Sequence, residues 1–261
     1  MHIELLSVTA TAPSTGAAGV AVTGDSLTVK NGRGKIRMIA GWSRNQATAG
    51  FTQLTFPSGH DTTRGIRVGI PASSTHLGVV PWSSQVELQA QEPMSFTLAG
   101  SATAGDVEQF CAIIRYDDLP GIDQRLISNA QLDARIEKLA TVEHSAVSTA
   151  GPSYGTPTVM TTSADLLQAN RDYAVLGCTT RTACMAAYII GPDTGNLRVG
   201  VPGDIAKQEI TSQWFSLLSR VTGLACIPVI NSGNKASTFF HATADENAGT
   251  FLCTWYLALL K

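Results

Sequence analysis

One short string occurs twice, and its two settings match. Residues 66–71 read IRVGIP and residues 197–202 read LRVGVP, and the residues on either side fall into step over most of both halves. Upstream, GWSR at 41–44 meets CTTR at 178–181, and Asp25-Ser26-Leu27 meets Asp165-Leu166-Leu167. Downstream, Trp82 meets Trp214, Gly100 meets Gly233, Ala104-Gly105 meets Ala248-Gly249, and FCAIIRY at 110–116 meets LCTWYLA at 252–258. The offset drifts from about 140 to about 131 and back to about 142, so the repeated unit is a whole domain with loops of unequal length. Solenoids and propellers repeat every 20 to 50 residues or so; a unit this long must carry its own core.

At 261 residues the length allows one or two domains, and the repeat makes it two of about 120 to 130 residues each. Strand signals dominate: short runs of Val, Ile, Thr and aromatic residues separated by Gly, Pro, Asn and Asp. They predict strands near 3–11, 20–22, 26–30, 35–42, 50–56, 65–70, 86–89, 94–99 and 108–116. In the second copy they predict 141–148, 158–161, 166–168, 173–180, 184–190, 197–201, 225–230, 237–242 and 250–260. About eight strands per copy fit an antiparallel sandwich or jelly roll. The predicted fold is therefore all-β, two tandem eight-stranded antiparallel jelly-roll sandwiches joined by a short helix. The predicted boundaries are 1–121 for the first jelly roll, 122–140 for the connecting helix and 141–261 for the second.

That helix is predicted from Ile122, Leu126, Ile127, Ile136 and Leu139, whose intervals suit one apolar face, with Asp123 as its N-cap after Pro120-Gly121. A second helix is predicted over 204–220, with Ile205, Ile210, Trp214, Leu217 and Leu218 on one side. Its first-copy counterpart, 73–84, is shorter and broken by Gly78 and Pro81.

Sites with chemistry are hard to find. The nearest approach to a nucleophile elbow, Gly41-Trp42-Ser43-Arg44-Asn45, lacks the second glycine. No GxxxxGK[ST], GxGxxG or HExxH string occurs, which removes the common nucleotide and zinc-peptidase chemistries. His2, His60, His76, His144 and His241 are dispersed, and His60-Asp61 falls in a Ser/Gly/Thr-rich tip at 58–65 that reads as a solvated loop. Asp117, Asp118 and Asp123 form the best cation candidate, because hard cations want several oxygen ligands. They lack EF-hand spacing and read as turn formers plus a helix cap. Cys111, Cys178, Cys184, Cys226 and Cys253 are odd in number and irregular in spacing, which argues against a disulfide framework. Cys111 and Cys253 occupy matching positions in the closing strands and read as small buried side chains. Cys178 and Cys184 have no partners to complete a zinc site. Trp82 and Trp214, matched across the copies, read as packing residues, and Arg67 and Arg198 as interface or solvent-face arginines. The expected assignment is no catalytic residue, no cofactor, no metal and no enzyme activity.

Charged residues make up only 15% of the chain, where a freely soluble monomer carries about a quarter to a third on its surface. Much of the surface is therefore expected to face other protein. The net charge is −2 and no basic stripe or arm is present, so direct sequence-specific nucleic-acid binding is not expected. Glu4 interrupts the apolar start and no h-region follows, so no secretory signal is expected, and no run reaches the 18 or so apolar residues that span a bilayer.

Two tandem sandwiches in one short chain, joined by a helix, without a recognisable active site and with thin charge, resemble the double jelly-roll major capsid proteins of tailless icosahedral viruses. The small size is similar to the members found in membrane-containing bacteriophages such as corticoviruses. The resemblance implies a homotrimer whose six jelly rolls form a pseudo-hexameric block in an icosahedral shell. The implied partners are other copies of the chain, other virion proteins such as penton or spike, and an internal viral membrane. The implied location is the virion capsid, after synthesis in the host cytoplasm. A shell over lipid has no need of a basic arm to neutralise packaged nucleic acid. The competing reading is a tandem carbohydrate-binding or adhesin module, hinted at by Tyr154 and the loop 231–234, since jelly rolls also host lectins. An enzyme built on paired cupin-like barrels would need a His and carboxylate metal set, and no HxH pair exists.

Overall fold

The structure, a computed structural model, describes residues 1–11, 23–24, 28–45, 50–59, 66–70, 78–99, 107–148, 158–160, 167–182, 184–243 and 249–261. The predicted strand 20–22 and the candidates His60, Asp61, His76 and Tyr154 lie outside them.

The strand β8 (Val107–Asp118) shows how the sequence builds sheet here. Phe110, Ala112, Ile114 and Tyr116 belong to one buried cluster, and the intervening Cys111 and Ile113 to another. Successive side chains of a strand point to opposite faces, so a strand apolar at every position needs protein on both sides. The preceding strands are β1 (His2–Thr11), β2 (Thr23–Gly24), β3 (Arg33–Asn45), β4 (Gly50–Thr55), β5 (Ile66–Ile70), β6 (Gly78–Leu88) and β7 (Ser95–Ala99). A link follows with β9 (Leu126–Ile127) and helix α1 (Asn129–Arg135). The second half begins with β10 (Ile136–Ser148), β11 (Thr158–Val159), β12 (Asp172–Thr180), β13 (Cys184–Ile190) and β14 (Val199–Gly203). Helices α2 (Gln208–Thr211) and α3 (Trp214–Thr222) precede β15 (Ile227–Asn231), β16 (Phe239–Thr243) and β17 (Gly249–Leu260). The protein is all-β, and each described strand pairing is antiparallel.

Four sheets result. Their orders are β2-β1-β8-β3-β6, β5-β4-β7, β10-β17-β12-β15-β9 and β11-β16-β13-β14. The run β1-β8-β3-β6 recurs as β10-β17-β12-β15, and β5-β4-β7 recurs as β14-β13-β16. Even an irregularity recurs: β3 slips register between Met38 and Ala40, and β12 between Val175 and Gly177. A bulge bends its strand and resets which residues share a face, so its position anchors an alignment of the two halves.

With that anchor, Ala40 opposite Ile113 corresponds to Gly177 opposite Tyr256. The closing strands then match one residue away from the alignment read from sequence: Cys253 takes the place of Phe110, and Thr254 that of Cys111. A one-residue slip turns every side chain to the other face. Both cysteines are buried, but in β8 the thiol faces away from that half's own interior.

The connecting helix is shorter than 122–140. Ser128, not Asp123, caps it: its hydroxyl accepts the Gln131 N–H at 3.3 Å, and the Gln131 Oε1 accepts the Ser128 N–H at 2.9 Å. This reciprocal pair satisfies two otherwise orphaned donors and fixes the start. The helix ends where β17 takes over, with the Lys261 N–H donating to the Arg135 carbonyl and Ile136 opposite Leu260. Two further expectations change. The span 204–220 holds two short helices, α2 and α3, and residues 78–84 belong to strand β6 rather than a broken helix. In place of a strand over 26–30 the described residues hold a single bridge, Thr28 to Pro93.

The first half's five-stranded sheet serves two cores. Leu6, Val8, Met38, Phe110, Ile114 and Tyr116 pack with Leu54, Phe56 and Phe96 from the same half. On the opposite side Ile3, Leu5, Ile39, Trp42, Cys111 and Ile113 join the core of the second half.

Candidate functional site

The densest set of specific contacts lies where the halves meet. Gly121 follows Pro120 with φ of 80°, a left-handed turn that glycine adopts freely, and this turn brings residues 122–125 back along the open edge of β1. There Gln124 replaces a neighbouring strand. Its Oε1 accepts the Ile3 N–H at 2.6 Å and its Nε2 donates to the Ile3 carbonyl at 3.0 Å. His2, also buried, accepts the Leu119 N–H at Nδ1 (3.0 Å) and donates from Nε2 to the Ile122 carbonyl (2.9 Å). Only a neutral imidazole makes both bonds, since the charged ring has no acceptor.

Burial, opposed by the Ile122 carbonyl and by the charges of Asp118 and Asp123, lowers the His2 pKa below its ordinary 6.5. Below that value the unfolded chain takes up a proton that the folded ring refuses, so acid favours unfolding and the penalty vanishes above it. Urea midpoints are expected to fall as the pH drops from about 7 to about 5. The fall should be smaller in His2→Gln; an unchanged pH slope would remove His2 from the account.

A second node fixes the link to the other half. The Arg125 guanidinium spans both carboxylate oxygens of Asp172 and lies 3.7 Å from Asp193. Asp172 also accepts from the Asn231 amide at 2.8 Å, and Asp193 from the Asn231 N–H and the Asn234 amide, each at 2.9 Å. The Arg125 hydrogen bonds outweigh partial burial and hold the Asp172 carboxyl below its usual range; the same bonds raise Arg125. Bidentate pairing of this kind supplies geometry as much as energy. Nothing in the sequence pointed to it, because its members come from the link, β12, a turn and β15. The loop 231–234, a candidate for sugar binding, spends its amides on this node and on the Gly233 N–H.

The halves also touch directly. The Leu5 N–H donates to the Arg198 carbonyl at 2.8 Å. Beside it β14 passes so close that a Cβ on Gly200 would lie 2.4 Å from Leu5 Cδ2. Trp42 Nε1 donates to the Met185 carbonyl at 2.7 Å, and its ring meets Trp214 edge-on with centroids 5.7 Å apart. Trp214, read as a packing residue, is fully buried. It opens helix α3, whereas Trp82, its partner in the alignment, lies in strand β6, so the two do not share an element.

The remaining candidates are held apart. Asp117 accepts the Lys35 N–H at 3.0 Å and pairs with Arg115 at 2.6 Å; burial opposes ionisation, but these partners together hold its carboxyl below the ordinary value. Asp118 ends β8 opposite Arg33. Among the described residues no group of three or more His, Cys, Asp and Glu is placed to hold a metal ion. Burial pushes the Cys178 thiol well up and the Cys226 thiol to about 11, which keeps both protonated and weak as nucleophiles. Among the described residues, cavities of about 110 Å³ between Pro202, Ile210 and Trp214, about 170 Å³ between Glu209, Gln213 and Arg220, and about 230 Å³ between Leu167, Asn170 and Lys235 are present. Clefts for small ligands typically measure about 300 to 1,000 Å³. No helix among the described residues is long and apolar enough to cross a membrane.

No protein-family model matches the chain, and no curated protein matches it. Among solved structures it is similar to the crystal structure of PBSX exported protein XepA, at 11% identity over 98% of this chain and 86% of that one, with a TM-score of 0.28. A likeness that loose carries no argument about fold or function.

Proposed function

We propose that the chain is a major capsid protein built from two tandem eight-stranded jelly rolls, with a first unit at 1–121, a link at 122–135 and a second unit at 136–261, from the start of β10. In this reading three copies form a pseudo-hexameric block, and such blocks tile an icosahedral viral shell. The protein acts as a structural element rather than an enzyme. Its partners are its own copies, penton or spike proteins and an internal membrane, and its location is the virion.

One observation carries the reading: both halves arrange four strands as first, last, third and sixth, and place three others in a facing sheet in matching order, with the bulge repeated. That order, with eight strands from β1 to β8 and eight from β10 to β17, supports the jelly-roll reading, the second strand differing in that β2 pairs with β1 and β11 with β16; jelly rolls are used for viral capsids. Two similar units welded by a buried contact make a rigid brick with two nearly equivalent flanks. The polar groups at the joint are spent on holding the units in register, which suits a structural part.

Light scattering of the purified chain over rising concentration, followed by electron microscopy, tests the reading. Trimers and larger closed or sheet-like assemblies are expected. A particle that stays monomeric at the highest attainable concentration would overturn it.

A further inference from the structure

The contact between the halves is heterologous: the edge and outer face of β1 in the first unit meet β14, a different strand, in the second. Because the units share a strand order, each surface has a counterpart that, among the described residues, the chain does not use in this way. The counterpart of β1 is β10, at the edge of its sheet. The counterpart of β14 is β5, at the edge of the facing sheet of the first unit.

The register makes the correspondence specific. Leu5 stands opposite Ile113 and Thr141 opposite Tyr256, the residues that follow the two bulges in step. Two positions further along, Ile3 corresponds to Leu139. Ile3 is 1% exposed, sealed between the halves, whereas Leu139 is 67% exposed. On the other side of the contact, Gly200 stands opposite Tyr188 in β13, and Gly69 stands opposite Phe51 in β4. The string RVGVP is thus part of the flank on which the first unit rests, with Gly200 beside Leu5, and RVGIP is its counterpart on β5.

We infer that a second copy of this chain docks its β10 edge on β5 of the first, repeating between molecules the contact that β1 makes with β14 within one. Leu139 takes the part of Ile3, and Thr141 that of Leu5 over Gly69. The inference rests on the self-assembly reading above and specifies its surface. Each molecule then offers one β10 and one β5, so copies join head to tail and close into a ring where the rotation allows. Among the described strands β10 pairs only with β17, and a strand edge that carries an exposed leucine, here Leu139, is the kind of surface that proteins otherwise blunt or cover. Around Leu139 the second unit's outer face carries Thr141, Thr179, Thr254 and Tyr256, where the first has Leu5, Trp42, Cys111 and Ile113. Contact between copies is accordingly more polar than contact within one, and reversible.

The test uses the full chain with Leu139→Asp, Thr141→Arg and Gly69→Leu, followed by native mass spectrometry and light scattering. Leu139 and Thr141 are exposed, so their variants should keep the thermal midpoint of the parent protein. Each of the three should weaken association about tenfold or more. Mixing Leu139→Asp with Gly69→Leu should restore a dimer and nothing larger, because the mixture contains one intact β10 and one intact β5 per pair. Variants that assemble like the parent chain, or a mixture that stays monomeric, would overturn the inference and leave the self-assembly reading standing. A parent chain that never associates would overturn both.

Discussion

Trp42→Ala is expected to lower stability by about 3 to 5 kcal/mol, the usual cost of emptying a buried aromatic site. The residue is fully buried, and its hydrogen-bond acceptor and its ring partner lie in the other half of the chain. Truncation removes the edge-to-face pairing with Trp214, worth about 0.5 to 1.5 kcal/mol beyond area. It also removes the donor to the Met185 carbonyl, and a buried acceptor left unpaired costs about 1 to 3 kcal/mol. These contributions overlap and do not add. Because the lost contacts join two units, the transition should also change shape, from one cooperative step to two with smaller denaturant slopes. Trp42→Phe keeps most of the packing and should lose much less. A single transition with an unchanged midpoint in the alanine variant would show that the halves do not depend on this side chain.

Gly200→Val should be nearly as damaging, through crowding rather than a void. A Cβ there would sit 2.4 Å from Leu5 Cδ2 and 3.1 Å from Leu5 Cγ, and Leu5 is fully buried with no room to retreat. Overpacking of this kind typically costs about 1 to 3 kcal/mol, and a branched Cβ makes it worse. Because the clash is with one residue, it is open to rescue. Leu5→Ala alone leaves a gap, but combined with Gly200→Val it should cost less than the sum of the two single changes. Strict additivity in guanidinium melts would mean that β14 moves away from β1 as a whole.

Why the repeat could be read and the joint could not follows from how each is encoded. RVGIP and RVGVP are legible as strings because they fall on corresponding edge strands, β5 and β14, of sheets with matching order. The same comparison misaligned Cys111 with Cys253. Similarity of letters in FCAIIRY and LCTWYLA outweighed the strand period of two, and the bulges that set the register leave no mark on composition. The long helix failed for a related reason. Ile122, Leu126, Ile127, Ile136 and Leu139 suit one helical face, yet they are divided among a turn, a short strand, the first residue of β10 and an exposed edge. The capping pair Ser128 and Gln131 was a better local signal than the apolar spacing. Arg125, Asp172 and Asp193 meet only through tertiary structure, and no local pattern announces them. By spacing alone Leu139 fits one apolar face of a helix; its exposure becomes meaningful only beside Ile3.

The pairing of β1 with β8 and of β10 with β17 sets a timetable for synthesis. His2 stands opposite Tyr116, so the first unit cannot close until its eighth strand has left the ribosome, and the same delay recurs for the second. Sheets dominated by such distant partners fold slowly, on the order of milliseconds to seconds. Throughout that interval the apolar back of the first sheet waits for a strand not yet translated. A chaperone that shields Ile3, Leu5 and Trp42 until residues 198–203 emerge would serve this chain better than one acting on the finished molecule.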